Sequence, residues 1–247
     1  GGSSAINAMI YMRGQAGDYD HWRQLGLTGW GWDDVLPYFK KHEDHFLGAS
    51  DAHAVGGELR IEPPRVKWEI LEAYREAAAE RGIAAIDDFN RGDNAGSCYF
   101  HVNQRRGLRW SSATAFLKPV LSRPNLHLLT ECHVEKLAFE GTRASGVTVR
   151  HKGATHTVRC RGEVILSSGS IGSVEILQRS GIGPADVLRQ AGLEVLREMP
   201  GVGANLQDHL QLRIIYKLSN ARTMNETYHS LVRRGWMGVE YALFRRG

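Results

Sequence analysis

Gly1-Gly2-Ser3-Ser4-Ala5-Ile6-Asn7-Ala8-Met9-Ile10-Tyr11-Met12-Arg13-Gly14 opens the chain and changes character half-way along. Two glycines and two serines give a backbone that can approach a ligand closely and present N–H and hydroxyl donors to an anionic or heteroaromatic group. A flexible linker has the same composition. A linker does not, however, continue into Ile6-Asn7-Ala8-Met9-Ile10-Tyr11, an apolar run broken by one amide. A buried amide needs a partner, so the stretch is expected to face a phosphate or flavin, with Asn7 satisfying a buried polar group.

At 247 residues, 42% hydrophobic and 23% charged, the chain has the composition of a folded protein of one or two domains. Its formal charge of +4 comes from Lys and Arg spread along the sequence, without the basic stripe that nucleic-acid binding needs. Cys98, Cys132 and Cys160 are odd in number and form no CxxC pair. That argues against a disulfide framework or zinc site and for a reducing compartment. No run approaches the roughly 18 apolar residues of a membrane-spanning helix; a cytoplasmic location is expected, and peripheral attachment to the inner membrane is compatible with it. The sequence begins inside a motif and stops at Arg245-Arg246-Gly247, directly after a helical pattern, so it reads as an internal piece of a longer protein.

Helical periodicity covers Asp20 to Leu25, then Trp32, Val35, Leu36, Tyr38 and Phe39, with Asp33-Asp34 in the first turn and Lys40-Lys41 in the last, as the helix dipole prefers. His42-Glu43-Asp44-His45, with Asp51 and His53 nearby, contains metal-ligand types, but its spacing is not that of HExxH. A solvated helix end and loop is the expected reading, with no metal. Glu58 to Glu62 alternates as a strand, Lys67 to Arg81 is helix-periodic, and Asp87 to Gly96 is a polar loop. Tyr99, His101 and Asn103 then alternate with Phe100 and Val102 as a strand, expected to show ordinary surface alternation; the alternative is a strand beside a site, with His101 or Asn103 near substrate. Ser111 or Ser112 suits the cap of a helix over 113–117.

From Asn125 the texture is of short strands: 126–129, 134–139, 144–149, 155–158 and the buried-looking 163–166, with turns at Gly141 and Gly153. The last runs through Ser167-Ser168-Gly169-Ser170-Ile171-Gly172 into a helix over 173–179, a strand–turn–helix order that suits phosphate. The same turn is one residue away from the G-x-S-x-G elbow of α/β-hydrolases, and Asp208 and His229 follow in the required order. A serine esterase using Ser170 is therefore an alternative, weakened by Ser168 at the first glycine position and by hairpins where a hydrolase sheet needs βα units.

Three ordered motifs carry a family resemblance. Gly1 to Gly14 with Asp18-Tyr19-Asp20 resembles the first signature of the glucose-methanol-choline (GMC) flavin-dependent oxidoreductases. Gly169-Ser170 to Ser173, Ile176-Leu177 and Ser180-Gly181-Ile182-Gly183 resemble the second, with Val174 where members usually have Pro. Pro200 to His209 is similar to the loop that leads from the flavin domain into the substrate domain. Gly107-Leu108-Arg109-Trp110-Ser111 matches a Gly-x-Arg-x-Ser pattern common in the family.

The resemblance implies a mixed α/β fold: an FAD-binding ββα domain interleaved with a substrate domain on a largely antiparallel sheet. Residues 1–55 would be the extended FAD-binding region, 56–98 a substrate-domain excursion, 99–205 the FAD-binding domain and 206–247 the start of the substrate domain. It implies that Gly2, Ser3, Asn7, Ala8, Met9 and Ile10 lie along the flavin, and that backbone groups of Val134 bind the adenine. Ile6 stands where some members carry a His linked to the flavin, so the expected FAD is non-covalent. The G-x-G-x-x-G fingerprint lies upstream of Gly1 in the family and the catalytic His beyond Gly247, so no residue here inherits a catalytic role, His209 and His229 included. The expected function is that of a part of an enzyme oxidising primary alcohols to aldehydes by hydride transfer to flavin, inactive as a piece; a non-catalytic fragment and a lyase on the same fold are alternatives. Choline-oxidising relatives commonly place Glu two residues after the His matching His209; Gln211 stands here, which favours uncharged alcohols over choline.

Overall fold

The computed structural model describes residues 2–219 and 223–245. Two compact units are present, residues 1–126 with 216–247 and residues 127–215.

The first unit begins with a 3-10 turn at Ser3–Ala5 and an exposed segment to Ile10. Helix α1 (Ala16–Gln24) starts where Gln15 N–H donates to Asp18, and α2 (Trp32–His42) where Gly31 N–H donates to Asp34. These side chains satisfy amides that have no partner inside the helix. Trp32 N–H donates to Asp20, and the Tyr19 ring packs against Trp22, Trp32 and Phe39, so the two helices share one aromatic contact.

The chain does not pass from α2 into a solvated loop. It enters strand β1 (Glu43–His45), which pairs in parallel with β2 (Leu59–Ile61), and Glu43, His45 and Ile61 are buried. Helix α3 (Glu69–Glu80) follows. The expected strand at 99–103 consists of bridges from Val102 to Ile10 and Glu62, and residues 101–104 are all buried rather than alternating. The hairpin β3 (Gln104–Arg105) and β4 (Leu108–Arg109) turns through Arg106 and Gly107, both at positive φ. Of the two expected cap residues of the π-helical turn 113–117, Ser112 directly precedes it without a side-chain capping bond, and Ser111 Oγ accepts from Thr114 N–H.

The second unit is built on the antiparallel meander β5 (Cys132–Glu140), β6 (Arg143–His151) and β7 (Ala154–Arg159). Lys152 (φ 50°) and Gly153 (φ 82°) are both left-handed in the β6–β7 turn, the backbone that a two-residue hairpin needs. Helix α4 (Gly169–Arg179) packs Ile176 into the core with Leu137, and Ser180 Oγ accepts from Leu137 N–H. β8 (Ile182–Gly183) pairs in parallel with β9 (Arg197–Glu198) around α5 (Ala185–Gln190), whose Leu188 is buried. The strands expected at 126–129 and 163–166 are unpaired coil, and Ile165 is exposed. An apolar run becomes a strand only where a neighbour supplies the ladder, and none among the described residues does so here. Residues 204–218 form no helix or strand and are mostly exposed, Leu210, Leu212 and Ile215 among them. The chain then returns to the first unit as α6 (Met224–His229) and α7 (Leu231–Phe244), capped by Ser230 Oγ on Arg233 N–H. Among the described residues no helix is long and apolar enough to cross a membrane.

Candidate functional site

The opening segment is held in a strained conformation by identifiable partners. Asn7 Oδ1 accepts from Met9 N–H (3.0 Å) and from Arg109 Nη1 (2.8 Å), which also donates to Ser4 O (3.1 Å). Met9 sits at φ 63°, a region unfavourable for an unbranched L-residue, and Asn103 N–H fixes its carbonyl at 2.8 Å. Strain held by surrounding bonds is a pointer to a functional segment. Asn7 is exposed, so its amide does not satisfy a buried group; it pins the turn and receives Arg109. Gly2, Ser3, Ala8 and Ile10 are exposed with it, and among the described residues nothing outside the chain neighbours lies within 4 Å of a Cβ placed on Gly2. Beside the segment, the buried Asn103 leaves its Oδ1 without a hydrogen-bond partner among the described residues. A cavity of about 420 Å³ is lined by Met9, Val102, Arg109 and Tyr241.

Immediately downstream, the chain rests on a buried polar network. Arg13 pairs with Glu43 (2.9 Å), and its other η-nitrogen donates to Ala52 O (2.7 Å). His53 is bonded at Nδ1 to Glu43 (3.0 Å) and at Nε2 to Asp88 (2.7 Å). The Asn90 side chain accepts from Arg13 N–H (2.7 Å) and donates to Tyr11 O (3.2 Å), while its own N–H donates to Asp88 (2.8 Å). Leu47 N–H donates to His45 Nδ1 (3.3 Å), which leaves the His45 proton on Nε2 facing His101 Nδ1 at 3.2 Å. The His45 ring stacks on His53, centroids 3.7 Å apart.

Burial favours the neutral form of every group here, and the neighbours decide the outcome. For His53, burial lowers the pKa, but its bonds to Asp88 and Glu43 outweigh that and raise it to about 8. Burial pushes Asp88 up, yet His53 and the Asn90 amide bring it down to about 2. Burial likewise opposes Glu43, which His53, Arg13 and the Ala54 amide hold below the usual carboxylate range. His45 is lowered to about 4 by burial and then by the charge of His53, and His101 is lowered chiefly by burial. Burial also raises Tyr11 to about 12. Two cations, Arg13 and His53, thus face two anions, Glu43 and Asp88. Ligating atoms of Glu43, His45 and His53 do lie within 4.8 Å of one another, but both His53 nitrogens are engaged and the charges already balance, so the network is complete as an ion-pair lattice.

A pH optimum follows. His53 keeps its proton to about pH 8 in the fold, against 6.5 for an unperturbed imidazole, so its contribution is complete below about 6.5 and is lost as pH rises through 8. His45, held near 4, stays neutral where the unfolded chain takes up a proton, so its contribution is present above about 6.5 and lost as pH falls towards 4. Urea midpoints should therefore peak near pH 6.5 and fall on both sides; a midpoint that rises between about 6.5 and 8.5 contradicts the assignment of charge.

The remaining expected residues lie elsewhere. Val134 is half-buried in β5, in the second unit, next to a register shift between Val134 and Lys136 that takes one residue out of the ladder. Gln211 is exposed in the irregular segment of that unit. Ser170 lies exposed in the first turn of α4 and, among the described residues, hydrogen-bonds no His or acid; Asp208 bonds to the neighbouring His209 N–H. The cysteines are free. Sequence reading missed the network because its members, Arg13, Glu43, His53, Asp88 and Asn90, come from four segments; a Glu-x-His alternation at 43–45 was the one local signal.

Comparison with known proteins gives one answer. A model of the GMC oxidoreductase family matches residues 1–211. The chain is 38% identical over 250 residues to a protein of Sinorhizobium medicae named oxygen-dependent choline dehydrogenase, covering all of this chain and 45% of that relative, so it spans about half the length of the curated relatives it matches. Its fold is similar to an FAD-dependent oxidoreductase from Chaetomium thermophilum (TM-score 0.90, 29% identity, all of this chain and 46% of that one). It is also similar to pyridoxine 4-oxidase from Mesorbium loti (TM-score 0.77, 38% identity, 81% of this chain and 40% of that one). With the strained opening segment and three ordered motifs inside the matched region, this chain belongs to the GMC oxidoreductase family.

Proposed function

We propose that this chain is part of an FAD-dependent oxidoreductase that converts primary alcohols to aldehydes. The observation that carries the reading is the family match over residues 1–211, together with an opening segment fixed in a strained shape but left exposed. Gly2, Ser3, Asn7, Ala8, Met9 and Ile10 hold the FAD without a covalent bond, and the Val134 backbone takes its adenine. The exposed donors and, among the described residues, the free space at Gly2 and the unpartnered Asn103 Oδ1 suit such a group. When bound, the flavin accepts the hydride released from the alcohol carbon. Arg109 fixes Asn7 and Ser4, and Asn103 fixes Met9, so that the segment is organised before the cofactor arrives. Residues 1–55 and 99–205 serve the FAD domain, and 56–98 and 206–247 the substrate domain. The substrate is a small uncharged alcohol, preferred to choline because Gln211 offers no charge, and the protein works in the cytoplasm.

The test uses the full-length protein. Arg109→Met and Asn7→Leu each remove a charged hydrogen bond worth about 1.5–3 kcal/mol, so FAD affinity should fall at least about tenfold. Ser170→Ala should leave FAD content and alcohol turnover as they were. Loss of activity in Ser170→Ala with Asn7→Leu intact would transfer the function to the esterase.

A further inference from the structure

Asn90 uses both ends of its amide on the backbone that flanks Met12: Oδ1 accepts from Arg13 N–H and Nδ2 donates to Tyr11 O, as a neighbouring strand would. Its own backbone N–H is held by one oxygen of Asp88, whose other oxygen holds His53. Through its second nitrogen His53 holds Glu43, and Glu43 holds the Arg13 guanidinium. The loop closes on the same three residues, Tyr11 to Arg13, that follow the strained turn at Met9. Tyr11 N–H donates to His101 O, so this stretch is tied on both sides. An imidazole with one proton can donate to one carboxylate only; the other would then face a lone pair. The lattice therefore needs both ring protons of His53.

We propose that Glu43, His53, Asp88 and Asn90 form a positioning unit for the flavin-facing segment, in which doubly protonated His53 locks two carboxylates and thereby fixes the backbone at Tyr11–Arg13, and loss of one proton loosens it. The inference rests on the reading of residues 7–10 as cofactor-facing. His53 is faced by Glu43 and the stacked His45 from β1, by Asp88 and by His101, with Arg13 behind Glu43. A cavity of about 560 Å³ reaches His53 and Asp88 and also carries Asp87, Arg91 and Asp93, which gives protons a route to the lattice. The raised pKa of His53 agrees with this geometry. None of these residues touches reacting atoms; they act through Asn90 and Arg13.

The experiment follows the full-length protein from about pH 6 to pH 9, a window that brackets the His53 titration, with two readouts. One is amide hydrogen exchange of the peptide spanning Tyr11 to Gly14, corrected for intrinsic rate, which needs no flavin. The other is FAD release, read as the rise in flavin fluorescence, with far-UV circular dichroism to confirm that the fold persists. Protection of the peptide and retention of FAD should both fall about tenfold as pH rises through about 8, in a one-proton step. Asn90→Ala should show low protection at every pH, and His53→Gln should remove the step. If His53→Gln fails to fold, the native pH profile and Asn90→Ala decide alone. Flat protection across the range, or a step that survives in either variant, overturns the proposal. A step in exchange without any bound FAD would leave the positioning unit standing and defeat the flavin reading instead.

Discussion

Glu43→Leu is expected to cost about 3–5 kcal/mol of stability, the largest single effect in the first unit. The carboxylate is fully buried and accepts from Arg13, His53 and Ala54 N–H. An apolar side chain of similar size fills the space but leaves the Arg13 guanidinium without its carboxylate and the His53 Nδ1 proton without an acceptor, away from water, with Asp88 as the one anion still facing the imidazolium. The paired control is Asp44→Ala, one residue along: its partner Arg60 is partly exposed, as is Asp44 itself, so the loss should stay within about 1 kcal/mol. Urea unfolding of both variants gives the comparison. Equal losses, or a loss below about 1 kcal/mol in Glu43→Leu, would mean that the pair is hydrated and the lattice is not what holds β1 in place.

Gly57→Ala should be damaging although it alters no charge. Gly57 N–H donates to Glu43 O at 3.0 Å where the loop crosses the end of α2, and a Cβ there would lie 2.5 Å from Glu43 N and closer still to the His42 carbonyl carbon. Neither neighbour is a flexible side chain, so the backbone that presents Glu43 must move. A cost of about 1–3 kcal/mol is expected from overpacking, with exchange protection of β1 falling in parallel. Gly17→Ala is the opposite case: Gly17 lies exposed in α1 with nothing within 4 Å of the added carbon. There the smaller backbone freedom of the unfolded chain should stabilise the protein by about 0.5–1 kcal/mol. A Gly57→Ala variant as stable as the parent would show that the Gly57 loop can move off the His42–Glu43 backbone without cost.

The parts of this fold that were legible in the sequence are those whose cause is local. Helices α1 to α3 follow from apolar spacing with acids at their starts, and the meander β5–β7 from alternation and glycine turns. The run at 163–166 has the composition of a buried strand, but composition does not provide a ladder partner. The stretch at 42–45 failed for a different reason. Charged residues in a row read as solvated because burying one alone is costly, and what offsets that cost lies far away: Glu43 depends on Arg13 and His53, and His53 on Asp88. His101 and Asn103 look like surface alternation for the same reason, because the chain that covers them comes from Ile10, Met9 and Glu62. The opening segment was legible as a motif. Its mechanics were not: Asn7 acts as a pin for Met9 and Arg109 in the open, a role visible only once Arg109 is brought across about a hundred residues of sequence.

Anaerobic mixing of the full-length protein with a primary alcohol is the most direct test of the proposed flavin-dependent alcohol oxidation. The account predicts that the protein purifies with FAD and that benzyl or a medium-chain aliphatic alcohol bleaches the oxidised-flavin absorption within the first turnover, faster than choline does. A protein that purifies without flavin, or whose flavin stays oxidised with every primary alcohol, would contradict it.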